Sequence, residues 1–503
     1  MKRHLHILTI SCLAAMLSSC SLITEPIDTY SDVTEGVSET GKEVAFKDKA
    51  AVVGHMQGLY RRLNDRQEHW YLDLLLIAEA HADNAYGGTT GAEVVPFENN
   101  AIEGSNSVIA RDWNGYLEDI ARANRLIINI DSVEDASLTS AERARYKAEA
   151  KIFRALVYFD MVRIWGNVPL ITTEAPDITA ENIEEIYDLY FPDQAPEEEV
   201  YRQIEKDLLE ALPDAPDVNP ADKTLFSKSV ARAMLAKVYA EKPIRDYAKV
   251  IQYADELAAD GFDLVSDLSD LFGANEAGTD AKMRNTVESI LEAQFFPGSG
   301  NWVTWMFGRD LSNWNNSFTW AKWVTPSRDL IRAYQQEGDQ KRYEQAIVYY
   351  QTTWSNYYPA DNYPFMYKIR SAHNSIIKLR YADILLLKAE ALIMTQDLEG
   401  AGVIIDRIRQ RAGLGRLPSA IRGNQDALLD ALLKERRLEL AFEGQRWFDL
   451  VRLEKVEVVM NGVYARDEGR LRQVYPFNET SYRLPIPQDA IDQNPKLEQN
   501  PGY

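Results

Sequence analysis

Glu435–Leu453 reads ERRLELAFEGQRWFDLVRL, and it closes a run in which Leu429, Leu432, Leu433 and Leu440 recur at helical spacing. Charges sit inside this apolar pattern, among them Glu435, Arg436, Arg437, Glu439, Glu443 and Arg446. Local pairing at i,i+3 is open to Arg436 with Glu439 and to Glu443 with Arg446. Gly444 reads as a helix stop, after which Trp447, Phe448, Leu450 and Val451 begin a second apolar surface. The expectation is a helix-turn-helix clamp that closes a helical array. Charges at helical spacing in such a clamp read as structural pairs, so function is sought elsewhere.

Outward from the clamp, helices come in pairs. Leu379–Thr395 and Leu398–Ala412 precede it, and Val200–Leu212 with Ser227–Glu241, continued by Asp246–Asp260, form an earlier group. Before those stand Trp113–Ile130 and Ala141–Trp165. Ala141–Trp165 is apolar on two faces, with Phe153, Val157 and Met161 on one and Ile152, Leu156 and Phe159 on the other, which predicts a helix held between neighbours. A first helix carries Val52, Met56, Leu59, Tyr60 and Leu63 on one stripe, and a second starts near Trp70. Paired helices with small Ala positions and short turns look like tetratricopeptide repeats, without a clean period. The fold class is therefore mainly α, a tetratricopeptide-like helical-hairpin scaffold with few short strands. Such stacks present binding surfaces and rarely perform chemistry.

The N-terminus is organised differently. Lys2, Arg3 and His4 precede a short apolar run, Leu5–Leu17, which reads as a secretory signal. It ends in Leu17-Ser18-Ser19-Cys20, similar to a bacterial lipobox, so Cys20 is the expected lipidation site and the acyl chains the membrane attachment. Cys12 falls inside the signal, so no thiol is left to form a disulfide. The expected organisation is a signal peptide over 1–19, a lipidated flexible tether over 20–40 and one domain over 41–503. Within that domain the scaffold is assigned mainly to 41–80, 107–165, 198–260 and 375–453. The formal charge of −22 disfavours nucleic acid and anionic lipid surfaces, which are bound through Lys and Arg.

Two regions break the helical rhythm, 81–106 and 297–373, and these are the expected ligand-binding loops. Trp302, Trp305, Trp314, Trp320 and Trp323 put five of the ten tryptophans within 22 positions, among Gly298, Gly300, Asn301, Asp310, Asn313, Asn315 and Asn316. Sugar binding needs aromatic faces to stack on ring C–H groups, with amides, carboxylates and Arg to bond the hydroxyls. The cluster supplies both. The i,i+3 spacing of Trp302 with Trp305, and of Trp320 with Trp323, equally suits a short helix burying one face. Asp83, Asn84 and Tyr86, followed by Gly87 and Gly88, offer a carboxylate, an amide and a ring, or else a helix-capping turn. Arg370 is able to fork onto two hydroxyls or a carboxylate, or to form a structural ion pair. His81 and His373 lack partners at metal-ligand spacing, so no zinc site is read. The chain has no Gly-x-Ser-x-Gly, no His-Glu-x-x-His and no phosphate-binding glycine loop, and no enzymatic activity is expected.

Several segments together resemble the SusD/RagB family of outer-membrane nutrient-binding lipoproteins. They are the Cys20 lipobox, AEAKIFRALVYFDMVRIWGNVPL from Ala148, SVARAMLAKVYAE from Ser229, RYADILLLKAEAL from Arg380, IIDRIRQRAGL from Ile404, the clamp, and PIPQDAIDQNPKLEQNPGY from Pro485. The resemblance implies a surface lipoprotein that captures oligosaccharide and hands it to a SusC-like TonB-dependent transporter barrel. The alternatives are capture of oligopeptide, with Arg370 favoured over the indoles, or a repeat-type protein–protein adaptor.

Overall fold

The computed structural model describes residues 36–37, 43–88, 91–176, 178, 181–308 and 323–503. Two compact units are present, one up to Ala45 and one over Phe46–Tyr503. Among its described residues the first contributes an antiparallel pairing, Gly36–Val37 with Glu43–Val44. The second carries the helical array and everything that follows.

Helix α1, Lys49–Asp65, starts at Asp48, whose side chain accepts from the Ala51 amide at 2.9 Å. Its expected stripe turns inward: Val52, Met56, Leu59 and Leu63 are buried. Tyr60 is half-buried, with its ring stacked on Phe226 at 4.4 Å. The helix foreseen near Trp70 is wider than an α-helix over most of its length. Glu68–Leu72 and Leu76–Ala80 are π-helical and flank one α turn, Asp73–Leu75.

The pairs follow in order: α2 Ser107–Asn129, α3 Ser140–Trp165, α4 Glu197–Ala211, α5 Lys228–Ala240 and α6 Tyr247–Ala259. Each packs on its neighbours in sequence, α3 on α2 and α4, α5 on α4 and α6. Helix α3 is the one the pattern marks as enclosed, and every residue from Ile152 to Trp165 is buried. Arg154 fastens it to α4 through two bonds to Asp207, at 2.6 and 2.8 Å.

Residues 297–373 hold more regular structure than their loop-like composition suggests. Helix α7, Arg328–Glu337, is capped by Ser327 and stopped by Gly338, which takes a left-handed φ of 68°. The helix Gln340–Ala346 comes next, and then an antiparallel hairpin pairs Ile347–Tyr350 with Tyr363–Met366. In the other insert, Ala85–Tyr86 pairs with Thr325–Pro326, which ties 81–106 to 297–373.

Strand Ile376–Arg380 pairs antiparallel with Ser289–Ala293 and runs straight into α8, Tyr381–Met394. Then come α9 Leu398–Arg411, α10 Gln425–Glu439, α11 Arg446–Arg452 and α12 Val456–Arg466. Leu386, Ile393, Ile405, Ile408, Leu428 and Leu432 form one core where α8, α9 and α10 meet.

The clamp departs from the local pairing open to it. Arg436 bonds Asp383 at 2.7 Å and Asp449 at 2.8 Å. Glu439 accepts from Arg380 at 2.7 Å and Arg342 at 3.2 Å, and from Arg411. Glu443 pairs with Lys368 and Arg380, and Arg446 with Asp83. The reason is burial. With α10 enclosed towards its end, each charge is desolvated and must be met by an opposite charge along its own direction. Helix α10 also ends at Glu439, five residues before Gly444. Gly444 is needed for a different contact: at φ 73° its amide donates to buried Glu79 Oε1 at 3.0 Å.

Candidate functional site

Helix Val303–Met306 is a single turn, and the residues either side of its inner face decide what it presents. Val303 and Thr304 point inward and are buried. Asn301 holds the turn in place: its amide donates to the carbonyls of Ser371 at 2.9 Å and Asn374 at 3.1 Å, and its oxygen accepts from the Thr304 amide at 3.1 Å. Gln67 Oε1 accepts from the Trp302 amide at 2.7 Å and anchors the turn to the scaffold. On the outer side Trp302 is 42% and Trp305 47% exposed. The i,i+3 spacing thus forms the expected short helix, with both indoles on the solvent side rather than the buried one.

A third ring stands in the same stretch. Phe296 is 52% exposed, with the Arg284 guanidinium 4.7 Å from its centroid. Arg284 itself is held by Asp280 and by the carbonyls of Phe295 and His373. Sequence reading passed over Phe296 because one Phe at a strand end is an ordinary core residue. Its signal was the following Pro297-Gly298-Ser299-Gly300, which lifts the chain away from the core.

The remaining predicted residues divide. Trp323 is half-buried, and its amide donates to the Met306 carbonyl at 3.1 Å, next to the platform turn. Trp314 and Trp320, with Asp310, Asn313, Asn315 and Asn316, lie outside the described residues. Asn301 is buried, so its role is corrected from hydroxyl binder to internal brace.

Asp83, Asn84 and Tyr86 are also buried, and they belong to the frame. Asp83 accepts from Arg446 Nε at 2.7 Å and Nη2 at 2.9 Å, and lies 3.2 Å from Arg437. Burial alone raises a carboxyl pKa, but here Arg437 and Arg446 prevail and hold Asp83 well below the usual range. Asn84 accepts from Arg437 at 2.9 Å and donates to Glu79 at 2.7 Å. The Tyr86 ring stacks on Tyr357 at 4.8 Å and its hydroxyl donates to Asp467 at 2.8 Å. Burial, then the Asp467 charge, push that phenol up to about 12. The turn therefore docks the clamp, and the side chains of Asp83, Asn84 and Tyr86 are committed to protein partners. The competition was legible only as the polar capping turn.

Arg370 is half-buried over the Tyr367 ring at 4.2 Å. It donates to the Tyr367 carbonyl at 2.9 Å and to Gln345. The ion-pair reading is corrected: the guanidinium is held through Nε and one Nη by carbonyls and an amide, not by a carboxylate. Trp354, Tyr358 and Tyr363 pack together, with Trp354 5.8 Å and Tyr358 5.7 Å from Tyr363. His81 is buried with Nδ1 2.8 Å from the Phe97 carbonyl. Among the described residues no group of three or more His, Cys, Asp or Glu is placed to hold a metal, and no helix is long and apolar enough to cross a membrane.

The profile of the SusD family matches residues 261–503. A second profile, described as starch-binding and associating with the outer membrane, matches residues 38–240. A SusD-like protein of Formosa agariphila, P2, is 28% identical, with 94% of this chain and 96% of that protein aligned. A SusD-like protein of Bacteroides ovatus is 24% identical over 88% of this chain and 82% of its own. Among solved structures, a SusD homologue from Bacteroides thetaiotaomicron superposes with a TM-score of 0.71 at 21% identity, covering 91% of this chain and 97% of that one. A laminarin-binding SusD-like protein does so at 0.68 and 24% identity, covering 91% and 100%. Two matching profiles that between them span most of the sequence, and relatives aligned over nearly their whole length, lead to one conclusion: the chain belongs to the SusD-like family.

Proposed function

We propose that this protein is a surface-exposed lipoprotein that captures oligosaccharide and delivers it to a SusC-like TonB-dependent transporter, by binding and release without bond cleavage. The observation that carries the reading is the pair Trp302 and Trp305, large rings 42% and 47% exposed on a turn whose inner side is braced. Exposed rings on a rigid support stack on sugar C–H faces with little loss of conformational entropy. Phe296, 52% exposed with Arg284 over its ring and six residues before Trp302 in the chain, is a further candidate ring for the same ligand. Trp314, Trp320 and Trp323 are assigned to the same surface on their place in the sequence. The starch-binding description of the matching profile and the laminarin named for one structural neighbour support a glycan as ligand. Oligopeptide capture is less favoured, since Arg370 already gives its Nε to the Tyr367 carbonyl and one Nη to Gln345, whereas the two indoles are close to half exposed. In this reading Cys20 carries the lipid, 1–19 is removed, 20–40 is the tether, and 41–503 is the single binding domain.

Isothermal calorimetry with a laminarin-type oligosaccharide tests the site. Trp302→Ala or Trp305→Ala is expected to weaken binding by about 1–3 kcal/mol, a hot-spot-sized loss, with the melting temperature hardly moved. Normal binding in both variants would remove this surface from the reading.

A further inference from the structure

The π-helical stretch Glu68–Leu72 packs on α2, and where the two meet stand two carboxyl groups, Asp73 and Asp112, 0% and 1% exposed. Short π-helical stretches inside helices recur at functional sites. This one lies directly behind the platform turn. Gln67, which accepts from the Trp302 amide, immediately precedes it, and the stretch itself packs on Val303–Met306.

The carboxyl pair is short of donors. Asp73 Oδ2 accepts from Arg111 on α2, whereas Asp73 Oδ1 and both Asp112 oxygens have no partner. Among the described residues these are the only buried carboxylate oxygens left in that state. Asp119, two turns further along α2, shows the ordinary solution, with Arg62, His69 and Trp70 all turned to it. Asp112 has no such set. The charges that bear on it are Arg111 from its own helix, Glu68 from the π-helical stretch, and Asp73, which lies within hydrogen-bond reach. The cations of the other neighbouring elements are committed elsewhere: Arg62 on α1 to Glu118 and Asp119, Arg163 on α3 and Lys378 on strand Ile376–Arg380 to Asp160. Helix Gln488–Gln493, which also packs on α2, brings only the charges of Asp489 and Asp492.

Two touching carboxylates in a buried site repel each other with neither water nor a second cation to offset it. One proton removes a charge and supplies the missing donor. Burial first, and then the Asp73 charge, push the Asp112 carboxyl well above the usual carboxylate range. We propose that Asp112 is a neutral acid at physiological pH, that its O–H donates to Asp73 and latches the π-helical stretch to α2, and that alkaline release of this proton opens the latch behind the platform turn. An unfolded aspartate ionises near 3.9, so above that value the folded chain holds a proton that the unfolded chain has lost. The contribution of the pair to stability is full below the unfolded value and is lost as pH rises to the folded one, the reverse of a carboxylate held by arginines.

Asp112→Asn keeps an N–H for Asp73 but does not titrate, and Asp112→Ser is a smaller variant with the same property. Urea melts from about pH 5 to about pH 9 give the folding constant of each protein. The ratio of variant to wild type is expected to rise about tenfold per pH unit above about pH 5, and to level off where the wild type releases its proton. Groups that titrate alike in both proteins cancel from this ratio, and lost packing shifts it by a constant factor only. Amide exchange over Glu68–Leu72 in the wild type, referred to the intrinsic rate at each pH, is expected to quicken where the ratio levels off and to stay flat in Asp112→Asn. A ratio that does not change with pH in either variant, or no such quickening in the wild type, would overturn the proposal. Trp302 and Trp305 are unaltered throughout, so the outcome is independent of the glycan reading.

Discussion

His81 shows how a single buried side chain sets a pH limit on the whole fold. Its ring packs 4.2 Å from Trp447, its Nδ1 meets the Phe97 carbonyl, and Nε2 has no partner. Burial pushes its pKa down to about 4. An unfolded histidine titrates near 6.5, so between these values the unfolded chain binds the extra proton and acid favours unfolding. Stability is complete above the unfolded value and falls as pH drops towards the folded one. The expected loss from His81 between pH 7 and pH 5 is about 2 kcal/mol. Denaturant melts at the two pH values check this, and His81→Leu is expected to shrink the difference even though it forfeits the bond to Phe97. Asp83 has the opposite dependence on its partners. With Arg437 and Arg446 both turned to it, Asp83→Asn leaves two buried guanidiniums undercompensated and is expected to cost about 3–5 kcal/mol. An unshifted melting curve for this variant would return the residue to the list of surface ligand contacts.

At the scale of elements, the clamp is more than the end of the array. Arg436 ties α10 to α8 and α11, Glu439 ties it to strand Ile376–Arg380 and to the insert through Arg342, and Arg437 reaches Asp329 on α7 at 2.9 Å. Helix α11 brings Trp447 into the space between His81 and Phe477, where it is 1% exposed. Trp447→Ala is expected to destabilise the fold by about 3–5 kcal/mol through the cavity it leaves. Glycan affinity of the folded fraction is expected to be unchanged, since the platform turn is braced by Gln67, Ser371 and Asn374 instead. Calorimetry at a temperature where the variant remains folded separates the two effects. Lost binding in a variant that melts normally would move the site to the C-terminal helices.

At the scale of the molecule, attachment and capture are separable. If acyl chains on Cys20 are the strong attachment, Cys20→Ala is expected to shift the protein out of the membrane fraction in cells lacking the transporter, because a lipid-free protein of net charge −22 gains nothing from an anionic surface. Full retention of that variant would overturn the assignment. What the sequence determined alone follows from repetition and local chemistry. Apolar stripes at helical spacing predicted α3 to α6, α8 and α9 to within three residues, while the start of α2 was read six residues late and the end of α10 five residues late; a helix that must bury one face writes that face into its own sequence, but not its ends. Helix α7 was legible in the same way, in Ser327, Leu330, Ile331, Tyr334 and Gly338, and was hidden only by the glycine- and tryptophan-rich stretch around it. What tertiary structure decided is which polar residues face out. Asp83, Asn84 and Asn301 are polar yet buried, and Trp302 and Trp305 are large aromatics yet close to half exposed. Type and spacing constrain a residue's own helix or turn, whereas burial depends on partners hundreds of positions away, as Asp83 on Arg446 and Tyr86 on Asp467, and those distances are set only when the chain packs.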